Sequence, residues 1–232
     1  MNYGEVAYVE AWNRSYSRGD NHIYYPKEET LRFLSKHVRK RVKLNHFEDI
    51  LVRADGLRGL DFGCGIGRGV VLLHEFGIDG HGVDISTTAI EQAKDLADAF
   101  GVDLTGRLSV LEGPHLPYAD GYFDLAISEG VLDSMPFQIA RTCLGEIVRC
   151  TRQLIFFSVI ARRPEADAPE EEIVQTPHEH GTVQSYFDES KINQLIEGLP
   201  VRIIDLERQD RHFLSHRTYY GRFYVTLERL AE

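Results

Sequence analysis

From Leu57 onward the chain alternates short apolar runs with amphipathic stretches. LRGLDF (57–62), GHGVDI (80–85), RLSVLE (107–112), FDLAIS (123–128) and RQLIFFSVI (152–160) read as strands. Helical periodicity fills the gaps at about 68–76, 87–99 and 137–150. Strands separated by helices predict a parallel sheet covered on both faces, since each strand must return over the sheet before the next can pair with it. YFDESKINQLIEG (186–198) starts like a capped helix, with Asp188 or Ser190 as N-cap and Gly198 as stop signal. Two longer runs follow, VRIIDLERQ (201–209) and GRFYVTLERL (221–230), rich in β-branched and aromatic residues. Joined by a loop near His212 to Tyr219, they predict an antiparallel pair closing one sheet edge. The fold class expected is therefore α/β: a doubly wound, mostly parallel seven-stranded sheet with an antiparallel C-terminal strand pair.

Two segments fall outside this pattern. Residues 1–56 are polar and aromatic, with a helical-looking stretch from Glu28 to about Leu51, and read as an N-terminal helical extension to a main domain at 57–232. The proline-rich, acidic string RRPEADAPEEEIVQTPHEHGT reads as an irregular insertion at about 162–186. A length of 232 residues suits one α/β domain with such appendages, and 43% hydrophobic with 27% charged residues is ordinary for a globular chain. Cys64, Cys143 and Cys150 are too few and too scattered for a disulfide framework. No apolar run approaches the roughly 20 residues that span a bilayer, and the start has no basic-then-apolar leader. These features predict a cytoplasmic protein without a membrane partner. The net charge of −10 argues against a nucleic-acid partner. Within it, KHVRKRVKLNH (36–46) carries five Lys/Arg; it reads as a solvated helix face, with a patch for an anionic substrate or RNA as the alternative.

The chemistry concentrates in LDFGCGIGRG (60–69), where a strand should hand over to a helix. Gly63, Gly65 and Gly67 leave the turn without side chains, so the backbone can bend tightly and approach a ligand, with the next helix pointing its N-terminus at an anion. A dinucleotide site needs G-x-G-x-x-G, and that spacing fails: the third position is Arg68 or Val70, depending on the starting glycine. Asp61, two residues before Gly63, suits the orientation of a cationic amino group. Asp84 ends the second strand, where a carboxylate can accept hydrogen bonds from both ribose hydroxyls.

D-F-G-C-G-I-G-R-G resembles motif I of the class I S-adenosylmethionine-dependent methyltransferases, and the family's other motifs follow in order over about 57–160. The resemblance implies S-adenosyl-L-methionine as cofactor. Gly63, Cys64, Gly65 and Gly67 would wrap its methionyl part, with Asp61 near its ammonium group. Asp84 would hold the ribose and Ile85 would pack on the adenine. In VLEGPHLPYADGYFDLAIS, Glu112 stands where the family usually has Asp; it would accept from the adenine amino group, with the Gly113 backbone reading the ring edge. Leu116, Pro117, Phe123 and Asp124 support the alignment. In SEGVLDSMP, Ser128 and Glu129 would lie close to the cofactor; Asp133 and Ser134 either do so or cap the next helix, and many relatives carry His where this chain has Ser134.

A methyltransferase reading implies a methyl acceptor, and a base where that acceptor starts protonated. Glu129, His115, His178 and His180 are the candidates, and no catalytic residue is assigned. Trp12, Tyr16, Tyr24 and Tyr25 suit a lid over the site or plain packing on the core. His178 and His180 form H-x-H, but no third ligand follows by spacing, so no metal is expected. The Asn-Pro-Pro-Tyr-type loop of many amino-methylating nucleic-acid enzymes is absent; Ser128-Glu129-Gly130-Val131 stands there. With the acidic charge, this points to a small-molecule methyl acceptor. An RNA or protein methyltransferase using residues 36–43, and a cofactor-binding module without transfer, are the alternatives. Oligomeric state is not set by the sequence.

Overall fold

In the computed structural model, residues 5–44, 46–163, 169–215 and 218–230 are described. Two helices open the chain, α1 (Glu5–Arg18) and α2 (Glu28–Phe33), followed by a π-helical turn at Leu34–Val38 and a hairpin of β1 (Arg39–Lys43) and β2 (His46–Asp49). The alternating core then runs β3 (Arg58–Phe62), α3 (Arg68–Glu75), β4 (Asp79–Asp84), α4 (Thr87–Phe100), β5 (Leu108–Val110), β6 (Phe123–Glu129), α5 (Phe137–Cys150) and β7 (Thr151–Ile160). After it come β8 (Glu171–Ile173), β9 (Val183–Ser185), α6 (Glu189–Ile196), β10 (Val201–Phe213) and β11 (Thr218–Arg229).

Seven strands form the main sheet in the order β10-β11-β7-β6-β3-β4-β5, with β7, β6, β3, β4 and β5 parallel and β11 and β10 antiparallel. The expected doubly wound architecture is present. One face carries Phe33, Leu34 and Val38 of the N-terminal segment with Leu72 and Leu73 of α3, and α4 continues that layer; the other carries α5 and α6 through Leu144, Ile147, Ile192 and Leu195. Burial on both faces explains why β6 and β7 are nearly continuous apolar runs. The chain path reverses between β3 and β6, so the crevice at the carboxyl ends of β3, β4 and β6 is the place where such sheets take ligands.

The expected helix over Glu28 to Leu51 is a correction. Helical structure ends at Val38, and the basic stretch lies on the β1–β2 hairpin instead of a helix face. Leu34 and Val38, one helical turn apart, are fully buried, whereas Val42, which keeps the same spacing in sequence, is 37% exposed on the hairpin. Beyond Val38, Arg39 and Arg41 stack on Phe47 at 5.2 and 4.9 Å, and Phe47 meets Phe76 at 5.4 Å, contacts that the period-two spacing of a strand brings together. The insertion is not wholly irregular either, since β8 and β9 pair antiparallel. At the C-terminal end the strands run past the expected loop and pair as far as Phe213 with Thr218. Asp188 caps α6 as expected, accepting from the Lys191 N–H at 2.8 Å.

Candidate active site

The glycine turn after β3 is tied to the neighbouring strand, with the Gly63 and Cys64 N–H groups donating to the Val83 carbonyl at 2.8 and 3.0 Å. Gly63 sits at φ +73°, and a Cβ there would lie 2.4 Å from Val131 Cγ2, so no side chain fits. At the second residue of α3, a Cβ on Gly69 would lie 2.3 Å from Asp61 Oδ2. Glycine at both positions lets the acid of β3 stand beside a bare backbone.

Asp84 fixes the second wall. Its carboxylate accepts from the Gly65 N–H and the Ser86 N–H, each at 2.9 Å, which joins the glycine turn to the start of α4. Burial pushes this carboxyl up to about 6, with those hydrogen bonds opposing the shift. Ser86 caps α4 by accepting from Ala89 N–H at 3.1 Å and donates to Asn13 Oδ1 of α1 at 2.6 Å.

Above these elements lies a cavity of about 1310 Å³. Nine of the eleven sequence-predicted cofactor residues line it: Asp61, Gly63, Cys64, Gly65, Asp84, Ile85, Glu112, Gly113 and Glu129. Gly67 and Ser128 do not. Gly67 faces Ala93 of α4, where a Cβ would come within 2.9 Å, and Ser128 is 1% exposed behind the wall.

The end of the cavity near β6 is charged. Glu129 lies 3.8 Å from Lys27 Nζ and 3.7 Å from Arg68 Nη2, and its Oε1 has no hydrogen-bond partner. Asp61 is 5% exposed; burial and then the Glu129 charge push its carboxyl up to about 7. Burial, followed by the neighbouring Arg222, draws Lys27 down to about 8. Asp61 and the unpartnered Glu129 Oε1 can accept hydrogen bonds from a cation, and Arg68 beside them can hold an anion. That pairing matches an amino-acid zwitterion.

The roof is α1. Tyr8, Trp12 and Tyr16 line the cavity, the Tyr8 hydroxyl donates to the Ser134 carbonyl, and the Tyr16 hydroxyl covers Gly65 so closely that a Cβ there would lie 2.7 Å away. Tyr24 and Tyr25, expected as possible lid residues, are 54% and 78% exposed and outside the lining. Sequence reasoning missed Tyr8, although its spacing from Trp12 and Tyr16 repeats every four residues. It also missed Arg68 and Lys27, whose roles depend on Glu129 and not on any motif.

Of the base candidates only Glu129 lines the cavity. His115 is 81% exposed against Glu146, and His178 and His180 are outside the lining. Ser134 lines the cavity, whereas Asp133 is buried and holds Ile160 N–H at 2.7 Å and Arg222 Nη1 at 3.2 Å, a bracing role for its loop. Among the described residues no group of three His, Cys, Asp or Glu side chains suits a metal ion, and no helix is long and apolar enough to cross a membrane.

The glycine turn after β3 and the acid ending β4 thus line one cavity at the carboxyl edge of a doubly wound sheet. Residues 60–156 match the model of a family described as methyltransferase domains. The residues around the turn fit the cofactor that the motif resemblance implies, S-adenosyl-L-methionine. Ajmaline N-methyltransferase from Rauvolfia serpentina is 27% identical over 163 residues, 66% of this chain; the match spans 55% of that protein's length. The fold also resembles that of Burkholderia thailandensis 1,6-didemethyltoxoflavin-N1-methyltransferase, with TM-score 0.68, 16% identity and coverage of 97% of this chain and 88% of that one. A Methanosarcina mazei S-adenosylmethionine-dependent methyltransferase gives TM-score 0.65 at 18% identity, covering 78% and 95%.

Proposed function

We propose that the protein transfers a methyl group from S-adenosyl-L-methionine to a small-molecule acceptor. The observation that carries this reading is a single cavity that joins the glycine turn to a space roofed by α1, beyond the motif residues. Asp84 holds the ribose, Ile85, Glu112 and Gly113 surround the adenine, and Asp61 with Glu129 holds the ammonium group. Arg68, with Lys27 behind Glu129, balances the carboxylate. When bound, the cofactor supplies a methyl group on a sulfonium, already a good leaving group. The protein's contribution is then to hold the acceptor in line, an effect worth up to about 7–11 kcal/mol, and to keep water out beneath Tyr8, Trp12 and Tyr16.

The N-terminal segment (1–56) and the insertion (162–186) choose the acceptor, since Tyr8, Trp12, Glu171 and Glu179 all reach the cavity from them. The N-methyltransferases similar to this chain support a small acceptor. No described residue of the basic stretch 36–46 lines the cavity, which weighs against an RNA or protein acceptor recruited there. The test is a methyl-label transfer assay with the full chain and a panel of small nitrogen, oxygen and sulfur nucleophiles. Labelled product from at least one of them supports the reading; binding of S-adenosyl-L-methionine with no transfer to any overturns it.

A further inference from the structure

Acceptor recognition at this site leaves an imbalance of charge that the cofactor does not remove. Seven acidic residues line the cavity against one arginine, and only four of the seven stand at motif positions. The other three, Glu10, Glu171 and Glu179, come from α1 and from the insertion. A bound cofactor is singly positive overall and is held at the motif positions, so it adds no partner for the three acids outside them. A cleft lined by one sign of charge, with low-dielectric walls, concentrates ligands of the opposite sign.

A second, independent feature points the same way. Tyr8, Trp12 and Tyr16 recur every four residues and so share one face of α1, with ring centroids 6.4 and 6.3 Å apart along it. All three line the cavity. Aromatic faces attract cations through the ring quadrupole, and do so most strongly where water is excluded. Carboxylates and aromatic rings in one chamber form the recognition chemistry of an organic ammonium ion.

Glu179 is the best placed of the three acids. It is the one non-glycine residue among those described with a left-handed backbone, at φ +57°, a conformation that Asn or Gly adopts more readily. Its backbone N–H is bonded to Asp20, and its carbonyl accepts from Thr182 N–H at 3.0 Å and Thr182 Oγ1 at 2.8 Å. These bonds hold in place a residue that lines the cavity, with the exposed His178 ring 3.5 Å from its carboxylate. Glu171, by contrast, is already engaged by the Phe137 N–H and Ser185 Oγ.

We infer that the acceptor is a small amphipathic amine, bound as its cation between the α1 aromatic rings and Glu179. The inference rests on the methyl-transfer reading above. A protonated amine has no free electron pair, so its proton passes to a carboxylate of the chamber and on to water. The freed pair on nitrogen forms the N–CH₃ bond as the C–S bond breaks, and that bond's electrons stay on sulfur.

The test uses binding as well as turnover. Trp12 is the sole tryptophan of the chain, so its emission reports on the chamber. The full chain is saturated with S-adenosylhomocysteine and titrated with three probes of similar shape: 4-phenylpiperidine, 4-phenylcyclohexanol and 4-phenylcyclohexanecarboxylate. The amine should bind roughly tenfold more tightly than either of the others, a preference that added salt reduces. Glu179→Gln should weaken the amine several-fold while leaving the alcohol and S-adenosylhomocysteine unchanged; Glu10→Gln, on the exposed side of α1, gives a smaller loss in the same direction. Equal or tighter binding of the alcohol or carboxylate overturns the inference, as does an amine affinity indifferent to both substitutions. Failure of S-adenosylhomocysteine itself to bind would instead overturn the methyltransferase reading beneath it.

Discussion

The floor and the roof of the cavity are built by different means. The floor is backbone: the glycine turn is pinned to Val83 and Asp84 by hydrogen bonds between residues about 20 apart in sequence, with no side chain at Gly63, Gly65 or Gly69. The roof is side chains: Tyr8 on Ser134, Asn13 on Ser86, Tyr16 over Gly65 and Arg18 on the Pro177 carbonyl at 3.1 Å. Local backbone geometry serves a ligand that never changes, the cofactor. On the proposed function, contacts gathered from distant segments serve the acceptor, and they can be exchanged without rebuilding the sheet.

The contrast is tested most severely at Gly69. Gly69→Val places atoms on Asp61 inside a packed interior, so S-adenosylhomocysteine affinity should fall at least about a hundredfold, with stability reduced by roughly 1–3 kcal/mol. Calorimetric titration and a denaturant curve measure the two. Asp84→Ala comes next: it orphans the Gly65 and Ser86 N–H groups and removes the ribose acceptor, and the expected affinity loss is about 10- to 100-fold. Unchanged affinity in either variant would break the assignment of the floor.

A pH effect of intermediate size comes from Asp61. Its folded carboxyl titrates near 7 because of burial and Glu129, against about 4 when unfolded. The folded state therefore keeps a proton that the unfolded chain has released. Stability is greatest below the unfolded value and declines as pH rises through about 7, and Asp84 adds to the decline with the same sign. Thermal melts of the cofactor-free chain between pH 4 and 8 should show this fall, and Asp61→Asn should flatten it. Equal slopes for the two proteins would contradict the buried-acid account.

The roof should yield smaller effects. Asn13→Ala removes the side chain that α1 places on Ser86 and the start of α4, and should weaken S-adenosylhomocysteine by only a few-fold, about 1 kcal/mol. Hydrogen exchange should quicken in α1 and not in β3 or β4; exchange unchanged in α1 would mean that the helix does not depend on this contact. Smallest of all is Lys40→Glu with Lys43→Glu on the hairpin, expected to leave cofactor affinity within about twofold, because neither residue lines the cavity. A tenfold loss would bring the hairpin back into the functional account.

How far the sequence could be read follows the same division. The sheet order and the motif acids were legible because each depends on residues close along the chain: glycines at fixed offsets, an acid ending a strand, and apolar runs of strand length. Glu129 was legible as a neighbour of the cofactor but not as the partner of Lys27 and Arg68, which reach it from other elements. The hairpin was misread as helix because Leu34, Val38 and Val42 keep a helical spacing in sequence, although only the first two are buried. What changes the structure there is the packing of Arg39, Arg41 and Phe47 against Phe76, a contact across the fold that local periodicity does not encode. Tyr8 was missed for a related reason, since an exposed-looking aromatic becomes a roof only when α1 is laid across the sheet.

The central claim is that one cavity, floored by the glycine turn and roofed by α1, holds S-adenosyl-L-methionine. Calorimetric titration of the full chain with S-adenosylhomocysteine tests it most directly, with Gly69→Val as the matched control once its melt shows it folded. The account predicts saturable binding of one molecule per chain and its loss in the variant. Absence of binding at millimolar ligand, or the same affinity in both proteins, would contradict it.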